Sequence, residues 1–275
     1  MLKEILSAKQ DGLQAAVFTF HPSPEELFGL TDGKALTPRE EKRRMLEALG
    51  VDVLVEYPMT RESAAIAPEA FVEEFLCRRL QARMVAAGTD LSFGAKGKGD
   101  FALLDAMKRS GGYETVQVDK LRIGGAEVSS SRIRALIERG EFGEANECLG
   151  YAYSYRGSVV HGAHLGHTIG VPTVNLLPEK DKLLPPYGVY YSEVLLEGKA
   201  YHAMTNIGTK PTVNGTKAVT IESYLYDFDG DVYGKEITVY PVRFRRPEQR
   251  FANVEELKAQ MQTDLAAGRF LFTFS

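Results

Sequence analysis

Thr173 and Asn175 stand two positions apart, directly after a stretch in which Gly157, Gly162, Gly166 and Gly170 recur. Glycine-rich backbone can approach phosphate oxygens closely and aim its N–H groups at them. The corners of β-barrels also collect glycines, so that run has two readings. On an extended strand Thr173 and Asn175 point to the same side. A hydroxyl and an amide oxygen there could complete the shell of a magnesium ion that also binds ATP phosphates. Spacing alone favours the plainer role, two side chains satisfying backbone groups in a turn. Glu222 lies within Thr220-Ile221-Glu222-Ser223-Tyr224-Leu225-Tyr226, a strand by composition, on the face opposite Ile221 and Leu225. A carboxylate in mid-strand faces either solvent or a site, and solvent is the commoner answer. In a site, Glu222 is placed to accept a proton from an attacking hydroxyl.

A second group of candidates is Ser129, Ser130, Ser131 and Arg134 at the start of an expected helix. Helix N-terminal N–H groups, hydroxyls and a guanidinium make a natural phosphate site. Taken in isolation, three serines at a helix start are more simply an N-cap. His161, His164 and His167 at a spacing of three suggest zinc, but glycines separate them and no cysteine or carboxylate stands nearby, which disfavours a metal site.

The elements that must carry these residues fall into two kinds. From about Ala15 to Glu138, strands alternate with helices. Ala15-Ala16-Val17-Phe18-Thr19-Phe20 reads as a buried parallel strand. Thr37-Pro38-Arg39-Glu40 opens a helix with threonine as N-cap and proline at the first helical position. Pro68 opens another helix, with Phe71, Phe75, Leu76 and Leu80 along one face. Repeated βα units imply a parallel sheet covered by helices. After Tyr151 hairpin signals dominate: Glu197-Gly198, Asn214-Gly215 and Asp229-Gly230 between alternating runs. They argue for an antiparallel sheet or small barrel. A last helix, capped by Asn253 with Glu256 at the reciprocal position, carries the stripe Val254, Leu257, Met261 and Leu265. The domain boundary is expected near Gly150, giving domains 1–149 and 150–275.

Composition excludes several classes. The 275 residues suit two cores, and a net charge of -4 gives no basic surface for nucleic acid. No apolar run approaches membrane-spanning length. Cys77 and Cys148 read as two buried thiols of a cytoplasmic protein. Oligomeric state is not legible.

The second half resembles the riboflavin kinase family. The resemblance is carried by Gly166-His167-Thr168-Ile169-Gly170-Val171-Pro172-Thr173-Val174-Asn175, by Pro186-Tyr187-Gly188-Val189-Tyr190 and by Thr205-Asn206-Ile207-Gly208-Thr209-Lys210-Pro211-Thr212. It continues through Ile221-Glu222 and Asp227-Phe228-Asp229-Gly230-Asp231-Val232-Tyr233-Gly234. It covers nearly all of the chain after Tyr151. It implies a six-stranded antiparallel β-barrel with a closing helix. It also implies ATP held by the glycine-rich loop (Gly157, Gly162, Gly166, Gly170, with Thr173 and Asn175) and magnesium held by Thr173 and Asn175. Glu222 would then be the base that activates a ribityl hydroxyl of riboflavin. The family usually has arginine where this chain has His167, which leaves less charge near the phosphates.

The first half resembles the FMN adenylyltransferase domain of bifunctional bacterial FAD synthetases, through Thr19-Phe20-His21-Pro22-Ser23-Pro24, Gly88-Thr89-Asp90-Leu91-Ser92-Phe93-Gly94 and Val128-Ser129-Ser130-Ser131-Arg132-Ile133-Arg134. The implied fold is an incomplete Rossmann-like nucleotidyltransferase domain, with His21, Asp90, Ser129, Ser130, Ser131 and Arg134 as its site residues. That family begins with a strand and a Gly-x-Phe-Asp-Gly-x-His-x-Gly-His loop, ahead of the helix to which Leu2-Lys3-Glu4-Ile5-Leu6 corresponds. His164-Leu165-Gly166-His167 copies part of the loop by coincidence, in the wrong structural setting. The expectation is therefore an active kinase, converting riboflavin and ATP to FMN and ADP, beside an inactive adenylyltransferase. Two alternatives are carried with it: a fully bifunctional enzyme that also makes FAD, if this sequence is an incomplete record, and a non-catalytic flavin-binding protein.

Overall fold

The computed structural model describes residues 2–29, 32–161, 171–211 and 217–273. By packing, the chain divides into two compact units, Met1–Glu127 and Val128–Ser275. In the first unit, α1 (Leu2–Ser7) precedes β1 (Ala16–His21). β1 pairs in parallel with β2 (Val53–Pro58), Phe18 lying opposite Val55. Between these strands come α2 (Pro24–Leu27), capped by Ser23, and α3 (Arg39–Ala48). Pro38 has an extended ψ of 162° and serves as the cap of α3, one position later than the sequence suggests. Arg39 and Arg43, a turn apart on α3, converge on Glu56 of β2 and tie helix to strand.

α4 (Pro68–Phe71) continues as wider π-type turns over Val72–Arg79, with Leu80 N–H donating to the Phe75 carbonyl at 2.9 Å. Its aromatic face packs on the first strand pair: Phe71 lies 5.2 Å from Phe18 and Phe75 lies 4.6 Å from Tyr57, ring centre to ring centre. β3 (Met84–Gly88) and β4 (Glu114–Val118) form a second parallel pair, joined through α5 (Phe101–Gly111). Val72, Leu76, Ala87, Phe93, Leu104 and Tyr113 fill the core between them. A two-residue hairpin, β5 (Arg122–Ile123) with β6 (Ala126–Glu127), ends the unit. Alternating βα units thus produce parallel pairing, as two separate pairs among the described residues.

The second unit opens with α6 (Ser130–Glu138) and α7 (Phe142–Leu149). Both group with the barrel that follows, Phe142 packing on Tyr190 at 5.9 Å between ring centres. The strands are β7 (Tyr155–Ser158), β8 (Val174–Leu176), β9 (Gly188–Leu196), β10 (Lys199–Pro211), β11 (Lys217–Leu225) and β12 (Glu236–Pro247). They order as β7-β12-β9-β10-β11-β8, and every neighbouring pair is antiparallel. The two edges meet where Val160 N–H donates to the Asn175 carbonyl at 2.8 Å, nearly closing the barrel.

Glu197 and Gly198 have φ of 49° and 80°, the left-handed pair that a tight hairpin turn requires, and they join β9 to β10. Asn214-Gly215 lies outside the described residues. Asp229-Gly230 does not make the expected hairpin. β11 pairs with β10 and β8, while residues 226–235 carry the chain across to β12, which pairs with β9 and β7. Asp227 (φ 54°) and Gly234 (φ 76°) are left-handed in that connection, and Asp227 forms an ion pair with Arg269 at 2.9 Å. Inward-facing Tyr190, Val194, Ile207, Ile221, Ile237 and Val239 are almost completely buried and fill the barrel.

α8 (Val254–Thr273) closes the chain against the outside of the barrel. Asn253 caps it, accepting from Glu256 N–H at 2.8 Å, while Glu256 reaches back to Ala252 N–H. Val254 is exposed, and the most buried positions are Asp264 and Gly268. Tyr191 Oη donates to the Asp264 carbonyl at 2.9 Å and Tyr226 Oη to the Leu265 carbonyl at 3.0 Å. Burial raises the pKa of both phenols, so they remain donors. Such close approach requires a glycine, since a Cβ at Gly268 would lie 2.2 Å from Tyr226 Oη. Asp264 carries its charge into this contact and is balanced by Arg245 at 3.2 Å and Arg246 at 2.7 Å. Among the described residues no helix is long and apolar enough to cross a membrane.

Candidate active site

Strand alternation sends Ile221 and Leu225 into the barrel and Glu222 to its outer face. The register then aligns a polar row across three strands: Asn206 of β10 opposite Glu222 of β11, and Glu222 opposite Asn175 of β8. Directly opposed residues of antiparallel strands carry their side chains on one face, with Cβ atoms about 4.5–5.5 Å apart. Thr173 stands two residues before Asn175, just ahead of β8. Asn175 Nδ2 donates to the Thr173 carbonyl at 3.2 Å. This orients the amide so that Oδ1 points away from that bond, and neither Oδ1 nor the Thr173 hydroxyl takes a further bond among the described residues.

Glu222 is not the solvent-facing carboxylate that composition alone favours. Its side chain is 13% exposed and forms an ion pair with Lys210 through Oε1. Thr220 Oγ1 donates to the same oxygen at 3.3 Å. A second carboxylate lies along the face, with Asn206 Nδ2 reaching Glu248 Oε1 at 3.5 Å. Glu248 crosses β10 over Gly208, where a Cβ would fall 1.9 Å from Oε1. Sequence reasoning missed Lys210 and Glu248. Lys210 was legible in principle, because Asn206, Gly208 and Lys210 alternate onto one face of the strand that pairs with Glu222. Glu248 was not, since its place depends on where the chain leaves β12.

Gly157 sits in strand β7 itself, packed against β8, where a Cβ would meet the Leu177 carbonyl at 3.3 Å. Gly162, Gly166, Gly170, His164 and His167 lie outside the described residues. In the first unit His21 ends β1, and Asp90 follows β3 and pairs with Lys120 at 3.3 Å. In the second unit Ser129 caps α6, accepting from Arg132 N–H at 3.3 Å, with Ser130 and Ser131 exposed in the first turn. Arg134 Nη1 is buried without a hydrogen-bond partner among the described residues.

The Asn175 amide oxygen and Glu222 carboxylate on one face, with the Thr173 hydroxyl two residues away in sequence, are hard oxygen donors, which suit magnesium better than zinc. Asn175 offers its oxygen rather than its nitrogen, so the residues present fit the ion.

The riboflavin kinase family model matches residues 149–272 and the FAD synthetase model matches residues 1–132. The bifunctional riboflavin kinase/FMN adenylyltransferase of Listeria monocytogenes is 38% identical over 267 residues, covering 96% of this chain and 84% of that one. Its Escherichia coli counterpart is 36% identical over 266 residues, with the same coverage of 96% and 84%. A crystal structure described as a macrolide-efflux protein from Streptococcus pneumoniae superposes with a TM-score of 0.83 at 29% identity, covering 96% of this chain and 86% of that one. The chain belongs to the bifunctional riboflavin kinase/FMN adenylyltransferase family. It is an enzyme with riboflavin kinase activity, and the family implies ATP and flavins as its substrates and products. The expectation of an inactive first half finds no support in these matches, and full bifunctionality fits them at least as well.

Proposed function

We propose that residues 150–275 transfer the terminal phosphoryl group of ATP to a ribityl hydroxyl of riboflavin, with Glu222 as the base. Glu222 accepts the hydroxyl proton as the new O–P bond forms. The bond from the terminal phosphorus to the ADP oxygen breaks in the same displacement, giving FMN and ADP. Thr173 and Asn175 would hold magnesium, which when bound neutralises phosphate charge and aligns the phosphates. The glycine-bearing segment from Gly157 to Gly170 is assigned to the phosphates themselves. Phosphoryl transfer asks little covalent chemistry of a protein, so positioning and charge supply most of the acceleration. The observation that carries this reading is the strand register that sets Glu222 directly opposite Asn175.

A second activity is favoured by the FAD synthetase match over residues 1–132: transfer of an adenylyl group from ATP to FMN, giving FAD and diphosphate. We assign it to residues 1–149, with His21, Asp90, Ser129, Ser130, Ser131 and Arg134 as its candidate residues. Incubation with riboflavin, ATP and magnesium, followed by chromatography, separates the readings. FMN is the product expected of the kinase, and FAD in addition establishes the second activity. Absence of both would leave a flavin-binding protein and end the kinase assignment.

A further inference from the structure

The Lys210–Glu222 ion pair has no part in the reaction as described above. Lys210 lies on β10 and Glu222 on β11, and their Cα positions are not paired: Lys210 is opposite Ala218, while Glu222 is opposite Asn206. Lys210 therefore runs along the sheet face to reach the carboxylate. Its side chain is 40% exposed whereas that of Glu222 is 13% exposed, so the ion pair joins a surface lysine to a largely buried carboxylate. The hydrogen bond from Thr220 falls on the same oxygen, Oε1. Among the described residues Oε2 takes no hydrogen bond.

We propose that Lys210 is a positioning residue for the phosphoryl transfer. With Thr220 it pins Oε1 and thereby presents Oε2 to the riboflavin hydroxyl. This rests on the reading of Glu222 as the base. A carboxylate on a mid-strand glutamate has three side-chain torsions, and without a clamp it samples orientations in which neither oxygen meets the substrate. An ammonium-to-carboxylate hydrogen bond is among the stronger contacts available to fix one oxygen. Lys210 itself neither gains nor loses a proton: the substrate proton passes to Oε2, and the charge on the lysine is unchanged. Catalysis is sensitive to small misplacements of a reacting group, so loss of the clamp should act on turnover rather than on substrate binding.

The test is steady-state kinetics of FMN formation for the full chain and for Lys210→Met, Lys210→Arg, Glu222→Gln and the double variant Lys210→Met/Glu222→Gln. We expect Lys210→Met to lower kcat by about 10-fold with KM for riboflavin and for ATP within about 2-fold of the parent, the signature of a lost transition-state contact. Lys210→Arg should recover most of the loss, since it keeps the charge and the donors. The double variant should be no slower than Glu222→Gln, because a clamp without its carboxylate has nothing to position. Unchanged melting temperatures for the single variants separate this from a folding defect, and rescue by arginine does so independently. Four outcomes overturn the proposal. If Glu222→Gln is slow but Lys210→Met is fully active, positioning is wrong while the base stands. If Lys210→Met raises KM for ATP at constant kcat, the lysine binds phosphate instead. If the two losses multiply in the double variant, Lys210 acts independently of Glu222. Full activity of Glu222→Gln removes the base assignment, and the clamp with it.

Discussion

Asn175 and Glu222 are directly opposed across β8 and β11, so a neutral amide oxygen and a carboxylate share the outer face of the barrel beside the segment that bears Thr173. The closing contact of the barrel uses the backbone of the same Asn175, through the hydrogen bond from Val160. The residue that joins the two edges of the sheet thus also carries a candidate metal ligand.

Asn175→Ala should raise the magnesium concentration needed for half-maximal FMN formation by about 10-fold or more, the scale of effects seen when a metal site loses a supporting group. Its backbone contact to Val160 needs no side chain, so the barrel should remain intact by circular dichroism. A magnesium dependence identical to the parent would take Asn175 out of the metal site.

Gly268→Ala places a Cβ 2.2 Å from Tyr226 Oη and 2.8 Å from Tyr191 Cε1. Either the helix moves outward or both tyrosines lose their bonds to the helix carbonyls. The expected cost is about 1–3 kcal/mol, the range for an overpacked contact. A urea midpoint equal to that of the parent would show that α8 docks less closely than described.

Glu56 answers to pH. Hydrogen bonding from Arg39, aided by Arg43 and opposed by burial, lowers its pKa from about 4.5 to about 2. A carboxylate whose folded pKa is depressed contributes stability that is fully present above its unfolded pKa. That contribution fades as pH falls from about 4.5 towards about 2. Glu56→Gln should be less stable than the parent at neutral pH, and the difference should narrow through that window. Urea midpoints measured for both proteins at several pH values check this, and parallel curves would contradict it.

The sequence was legible where local chemistry decides. The left-handed pair at Glu197 and Gly198 marks its hairpin, Asn253 with Glu256 marks the start of α8, and alternation around Glu222 separates inward Ile221 from the outer face. It was misleading where the outcome depends on distant strands. Asp229-Gly230 resembles a hairpin turn, but β9 rather than β11 is the partner of β12, a choice made by closure of the whole barrel. The helical stripe of α8 holds at Leu257, Met261 and Leu265, which are half-buried, and departs at its first residue. Val254 is apolar yet exposed, while Asp264 is completely buried because Arg245 and Arg246, distant in sequence, balance its charge. The ion pair on Glu222 becomes legible only once β10 is paired with β11, because that pairing brings the face bearing Lys210 beside the carboxylate.

The rate of FMN formation by Glu222→Gln, measured beside the parent with saturating ATP and magnesium, tests the account most directly. Glutamine preserves the shape of the side chain and cannot take up the proton. We expect turnover to fall by roughly 10²–10⁴-fold, the range for loss of a general base, with riboflavin binding nearly unchanged. Turnover equal to that of the parent would show that the carboxylate opposite Asn175 takes no proton, and the catalytic arrangement described for the barrel face would be wrong.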